Sequence, residues 1–283
     1  MEKIYEWFYR KLNMNIFFKI FSRIMTFLGI HKYHFGFTNN KKIEDYENIH
    51  NLSKNKIYID VDKLERKFQF KINKIFFENL AFHTQVVIKK NELNYQHGRV
   101  LYTYLSNYIF RNKSKNSNIN ILETGTARGF SSVCMSKALL DSKTSGKIFT
   151  IDILPHNVKM VWNCPKDLQE KSTRSDILKE WMNELSNIVF LTGSSKNVLN
   201  KLFLNRVHFA FLDGLHTYNA VKYEFDYINA RQITGDIIIF DDVVKNKYNG
   251  VVRCINDIKK LNIYNIDLLK ISNFRTFAIA TKK

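Results

Sequence analysis

Two apolar runs that each stop on acids constrain this chain most. Val207-His208-Phe209-Ala210-Phe211-Leu212 ends at Asp213-Gly214-Leu215-His216, and Asp236-Ile237-Ile238-Ile239-Phe240 ends at Asp241-Asp242. Runs that are apolar throughout read as strands of a parallel sheet covered on both faces. Between them, Thr217 to Gly235 opens with Tyr218, Val221, Tyr223, Phe225, Tyr227 and Ile228 at helical spacing among charges, and closes on a glycine. A strand–helix–strand unit places both acidic ends at the carboxyl edge of one sheet, where ligands of open α/β sheets bind. Three carboxylates and an imidazole there have the chemistry of a hard-metal site with a base beside it.

A second pattern lies upstream. Ile119-Asn120-Ile121-Leu122 leads into Glu123-Thr124-Gly125-Thr126-Ala127-Arg128-Gly129-Phe130-Ser131-Ser132, and a helix is expected from there through Leu140. Lys147-Ile148-Phe149-Thr150-Ile151-Asp152 then reads as another strand ending in an acid. The glycines let the backbone turn tightly and approach a ligand. An acid at the end of the second strand is placed to accept hydrogen bonds from ribose hydroxyls. The Glu-x-Gly-x-x-x-Gly spacing differs from the Gly-x-Gly-x-x-Gly of a dinucleotide turn, which cradles a pyrophosphate. A first-strand carboxylate suits a cationic ligand instead.

Taken in order, Glu123 to Gly129, Asp152, the Gly193-Ser194 turn after Ile188-Val189-Phe190-Leu191, and Asp213 resemble the motifs of class I S-adenosylmethionine-dependent methyltransferases. Asp213-Gly214-Leu215-His216 with Asp241-Asp242 resembles the metal-dependent branch that methylates sugar hydroxyls, of the macrolide sugar O-methyltransferase type. The resemblance covers roughly residues 95–283. It implies a Rossmann-like, doubly wound, mostly parallel sheet with a C-terminal antiparallel hairpin. It implies S-adenosylmethionine as cofactor, held by Glu123, Gly125, Thr126, Gly129, Ser131, Asp152, Ser194 and Asp213, with Asp152 at the ribose and the Gly193-Ser194-Ser195 turn near the adenine. It implies a divalent cation at Asp213, Asp241 and Asp242, with His216 as the base. All-oxygen ligands make Mg²⁺ the expected ion. Which of Asp241 and Asp242 is the direct ligand stays open. The implied acceptor is a hydroxyl of a small molecule or glycan.

Composition tests the alternatives. The chain has 283 residues and a formal net charge of +18. That charge would suit a nucleic-acid methyltransferase, yet there is no Asn-Pro-Pro-Tyr type motif and no basic–aromatic ribonucleoprotein signature, so nucleic acid is not the expected partner. Lysine is spread along the chain, as a biased overall composition would also produce. An NAD-dependent sugar-modifying enzyme would share the sheet but would want the tighter glycine spacing and a Tyr-x-x-x-Lys pair. Cys134, Cys164 and Cys254 show neither disulfide nor zinc spacing and suit a reducing, cytoplasmic compartment.

Residues 1–94 are expected to form a basic, helical accessory region, and 95–283 the catalytic domain. Residues 1–115 hold 21 Lys+Arg against 10 Asp+Glu. Residues 1–29 read as an amphipathic helix that packs on the domain, on a second subunit of a homo-oligomer, or peripherally on the inner face of a membrane. His31–Ser53 reads as a connection, Lys63–Lys90 as one or two helices, Asn94–Phe110 as another, and Asn112–Asn118 as a linker. Further on, Ile153–Arg174 reads as a lid or a long loop. Ser175–Leu185 is expected as a helix capped by Ser175, Leu199–Leu204 as a short helix, Val251–Leu261 as a helix, and Asp267–Ser272 with Phe274–Thr281 as the final hairpin.

Overall fold

The computed structural model describes residues 35, 41–88, 92–112, 118–272 and 275–283. The expected helix over 1–29 and most of the Asn112–Asn118 linker lie outside them. Seven strands form one sheet: β1 Ile119–Thr124, β2 Gly146–Asp152, β3 Ile188–Thr192, β4 Phe209–Leu212, β5 Ile237–Phe240, β6 Tyr264–Ser272 and β7 Arg275–Lys282. Their order is β3-β2-β1-β4-β5-β7-β6. The first five are parallel. β7 is antiparallel to both β5 and β6. The expected doubly wound sheet with a C-terminal hairpin is therefore present. The hairpin starts at Tyr264, earlier than expected, because Tyr264 is buried and its hydroxyl donates to Gln232 Oε1 at 2.7 Å.

Four helices precede the sheet: α1 Ile43–Lys54, α2 Ile59–Phe68, α3 Lys74–Thr84 and α4 His97–Asn112. α1 occupies much of the segment expected to be a connection, with Tyr46 fully buried beneath it. α5 Phe130–Asp141 follows β1. The expected Ser175–Leu185 helix is broken into α6 Arg174–Leu178, a 3₁₀ turn at Lys179–Trp181 and α7 Met182–Leu185. Its cap is Thr173, whose hydroxyl accepts from Asp176 N while the Asp176 carboxylate accepts from Thr173 N. That reciprocal pair satisfies more orphan amides than Ser175 could. α8 Ser195–Leu199 replaces the helix expected at Leu199–Leu204. The Leu202 and Leu204 carbonyls are taken by Tyr227 Oη and Arg231 Nε, which hold that stretch out of a helix. α9 Tyr218–Asn229 and α10 Asn249–Leu261 complete the element order.

α4 runs against the strands. Its end meets the start of β5, where Tyr108 Oη donates to Asp236 Oδ1 at 2.7 Å. Its start lies against the start of α5, with the His97 and Phe130 rings 4.8 Å apart. The beginning of α4 therefore sits at the carboxyl edge of the sheet. One face of the sheet shares a core with α1–α5 through Phe77, Leu101, Val133 and Phe209. The other packs on α9 and α10 through Phe225, Ile228, Ile255 and Ile258. Burying both faces is what permits strands as uniformly apolar as Ile237-Ile238-Ile239.

Candidate active site at the carboxyl edge

The loop after β1 is held open by its glycines and by hydroxyls from below. Gly125 has φ +92°, and a Cβ there would sit 2.1 Å from the Asp213 carbonyl oxygen, so the β1 loop and the end of β4 nearly touch. Beneath the loop Glu123 is fully buried. Ser131 and Ser132 hydroxyls donate to its two oxygens, and Thr150 Oγ1 donates at 2.6 Å. Thr126 Oγ1 lies 2.5 Å from Thr150 Oγ1. Burial raises the Glu123 pKa against the lowering effect of these three donors. Glu123, Thr126 and Ser131 are thus knitted together, and Glu123 organises the loop from inside. Asp152 lies beside it, accepting from Ala127 N at 2.6 Å and Leu154 N at 2.8 Å. Ser194 is exposed and caps α8 through Asn197 N at 3.3 Å.

The acids at the ends of β4 and β5 separate into two groups. His216 Nε2 lies 3.1 Å from Asp242 Oδ2 and 3.5 Å from Asp213 Oδ1. These three ligand atoms all fall within 4.8 Å of one another. Asp241 faces away, 1% exposed, gripped by the Arg275 guanidinium through both nitrogens of its fork. Arg275 also reaches Asp213 Oδ2 at 4.0 Å and donates to the Asn94 carbonyl at 3.0 Å. Burial, then the charge of Asp241, raises the Asp213 pKa. Burial alone would lower that of His216, but Asp213 and Asp242 outweigh it and raise it to about 10. Tyr248 stacks obliquely on His216 with centroids 4.5 Å apart.

The donor set fits a divalent cation. His216 Nε2 is shielded from solvent and has no well-directed hydrogen bond, although two carboxylates stand beside it. Two oxygens and a nitrogen within 4.8 Å of one another can be satisfied by an ion where a single proton cannot satisfy them.

Several contributors carried no signal in the sequence. Arg275 lies 34 residues from Asp241 on another strand. Arg174 is 1% exposed, donates to Ala127 O at 2.7 Å and Leu154 O at 3.2 Å, and so braces the loop after β1. Trp162 is fully buried and Met160 pairs with Ser172, so Ile153–Arg174 is a packed connection with its own small core. Below the acids, Glu224 is buried, accepts from Thr124 Oγ1 at 3.0 Å, and has its other oxygen without a partner.

Comparisons agree with this geometry. Residues 122–243 match the family described as a methyltransferase domain, a span that holds the β1 loop, Asp152, Asp213, His216, Asp241 and Asp242. That match covers less than half of the chain, and over it the chain is similar to methyltransferase domains. An O-methyltransferase from Bacillus cereus in complex with SAH is 15% identical with a TM-score of 0.50, covering 86% of this chain and 100% of its own. A cofactor-bound protein from MTB is 15% identical with a TM-score of 0.55, over 80% of this chain and 98% of its own. The O-methyltransferase TomG from Streptomyces achromogenes, bound to SAM and involved in tomaymycin synthesis, is 14% identical with a TM-score of 0.51, over 86% and 99%. No curated protein matches the chain in sequence. At such identities the solved structures establish the shared fold. Among the described residues, no helix is long and apolar enough to cross a membrane.

Proposed function

We propose that this chain transfers a methyl group from S-adenosylmethionine to a hydroxyl oxygen of a sugar or glycan, with help from a divalent cation. The observation that carries the reading is the Asp213–His216–Asp242 cluster beside the glycine loop of a methyltransferase domain. Asp152 and the loop around Gly125 would hold the cofactor beside the β4 end. Asp213 and Asp242 hold the cation, Mg²⁺ or similar, while Arg275 neutralises Asp241. A bound divalent ion supplies Lewis-acid charge that makes an acceptor hydroxyl more acidic. With the charge of Asp213 and Asp242 offset by a cation, the two carboxylates would no longer hold His216 protonated, and its Nε2 would be free to accept the hydroxyl proton; methyl transfer then needs mainly positioning.

A second reading follows from the distances: the same Nε2 ligates the ion, since it lies as close to the carboxylates as a third ligand would. One experiment separates the two. Transfer of isotopically labelled methyl to a panel of glycans is measured with and without EDTA, alongside Mn²⁺ binding by electron paramagnetic resonance. A His216→Ala protein that binds Mn²⁺ normally but turns over about 10²–10⁴ times more slowly identifies a base. Loss of Mn²⁺ binding identifies a ligand. Undiminished transfer in excess chelator removes the cation from the reaction.

A further inference from the structure

The helices ahead of the sheet form a half-open cavity of about 180 Å³ whose lining is charged in an unbalanced way. Ile72, Phe77 and Gln96 are buried in it. Arg99 lines it too, but is paired with Asp62 and Glu65, each at 2.6 Å. Lys56 is paired with Glu92 at 2.5 Å. Glu78 accepts from the Tyr95 hydroxyl at 2.7 Å and sits 2.9 Å from His50 Nε2. What remains is Lys54, Lys71 and Lys74, three amines around one concavity with no carboxylate within 4 Å among the described residues. On α3 only Glu78 offsets them. Its first turn holds no acid, whereas α1 has Glu44 and Asp45 there and α2 has Asp60 and Asp62.

We infer that this cavity is an anion subsite that takes a phosphate group carried by the acceptor. Three amines, partly offset by the nearby Glu78, leave a local excess close to the charge of about −2 on a phosphate monoester. The apolar floor of Ile72 and Phe77 suits carbon atoms attached to that group. The cavity also adjoins the catalytic edge. Gln96 N donates to Asn94 Oδ1 at 3.1 Å, and the Asn94 carbonyl accepts from Arg275, whose fork holds Asp241. A phosphate seated here would anchor a molecule whose hydroxyl reaches toward His216. The subsite itself is independent of methyl transfer; only the identity of what the phosphate is attached to rests on the reading above.

The test is isothermal titration of the full chain with inorganic phosphate, glucose 6-phosphate and glucose, together with sedimentation of vesicles made with and without phosphatidylglycerol. Phosphate and glucose 6-phosphate should bind and glucose should not. Affinity should fall with added salt, as for exposed amines. Exchanging two of the three exposed lysines in K71E/K74E should weaken binding about tenfold or more, as expected for loss of hydrogen bonds to a charged group. K71Q/K74Q removes the charges without reversing them and should act in the same direction if the first variant melts early. Vesicle binding that depends on Lys71 and Lys74, without binding of the soluble phosphates, would assign the phosphate to a lipid headgroup. Affinity unchanged in both variants, or no saturable binding of any phosphate probe, overturns the subsite. Titration with S-adenosylhomocysteine on the same samples should be unchanged. Its failure in the unaltered protein would count against the methyltransferase reading and leave the subsite standing.

Discussion

Asp241 and Asp242 are neighbours in sequence with different surroundings. Asp242 takes up φ +56°, which swings its carboxylate toward His216, while Asp241 stays beneath Arg275. This division answers the repulsion that three clustered carboxylates would suffer: one is matched by a guanidinium, and the other two stand beside the His216 imidazole. Glu224 sits lower and is the clearest titration probe in the site. Burial pushes its pKa up to about 7, against the nearby Ser195 hydroxyl, the Thr124 hydrogen bond and the charge of His216. The folded value lies above the unfolded one, so the folded state holds the extra proton. The associated stability is present at low pH and is lost as pH rises through about 7. Between about pH 5 and pH 8 the unaltered protein should lose on the order of 2 kcal/mol through this group. Glu224→Gln should not. Urea unfolding at the two pH values checks this, and an equal loss in both proteins would contradict it.

At the scale of elements, the close approach of the β1 loop to the β4 end sets the site. Gly125→Ala would add a Cβ 2.1 Å from a backbone oxygen at φ +92°. It should cost about 3 kcal/mol or more and weaken cofactor binding. Gly235→Ala, at φ +94° with nothing within 4 Å, meets only the backbone strain and should cost about 1 kcal/mol. Thermal melts compare them, and equal costs would show that the loop is less tightly apposed than described. These strands and their acidic ends were legible because a doubly covered sheet demands continuous apolar runs, and turns at its edge demand glycine and aspartate. The helix breaks were less so. Thr173 and Ser175 are equally good caps in isolation, and only the Asp176 partner distinguishes them. α1 was missed because its exposed faces are polar and the burial of Tyr46 depends on residues far along the chain. The Arg275–Asp241 pair could not be read at all, since nothing in local sequence fixes which residues two strands bring opposite each other.

For the whole molecule, the helices before the sheet and the sheet itself share packing surfaces. Phe77 contacts both Tyr95 and Phe130, with centroids at 5.5 and 5.6 Å, and Tyr108 reaches Asp236 across the core. Such contacts predict that residues 41–283 unfold in one cooperative step. Far-ultraviolet circular dichroism and the fluorescence of the buried Trp162 and Trp181 should then give coincident denaturation curves. Two separated transitions would mean that the helical layer folds on its own. The carboxyl edge of this sheet is the proposed binding site of S-adenosylmethionine. The most direct measurement is isothermal titration of the full chain with S-adenosylhomocysteine, set beside NAD and repeated with Asp152→Ala. Saturable one-site binding of S-adenosylhomocysteine, none of NAD, and at least about tenfold weakening on loss of the Asp152 carboxylate is the predicted result. Tight binding of NAD with none of S-adenosylhomocysteine would contradict the account.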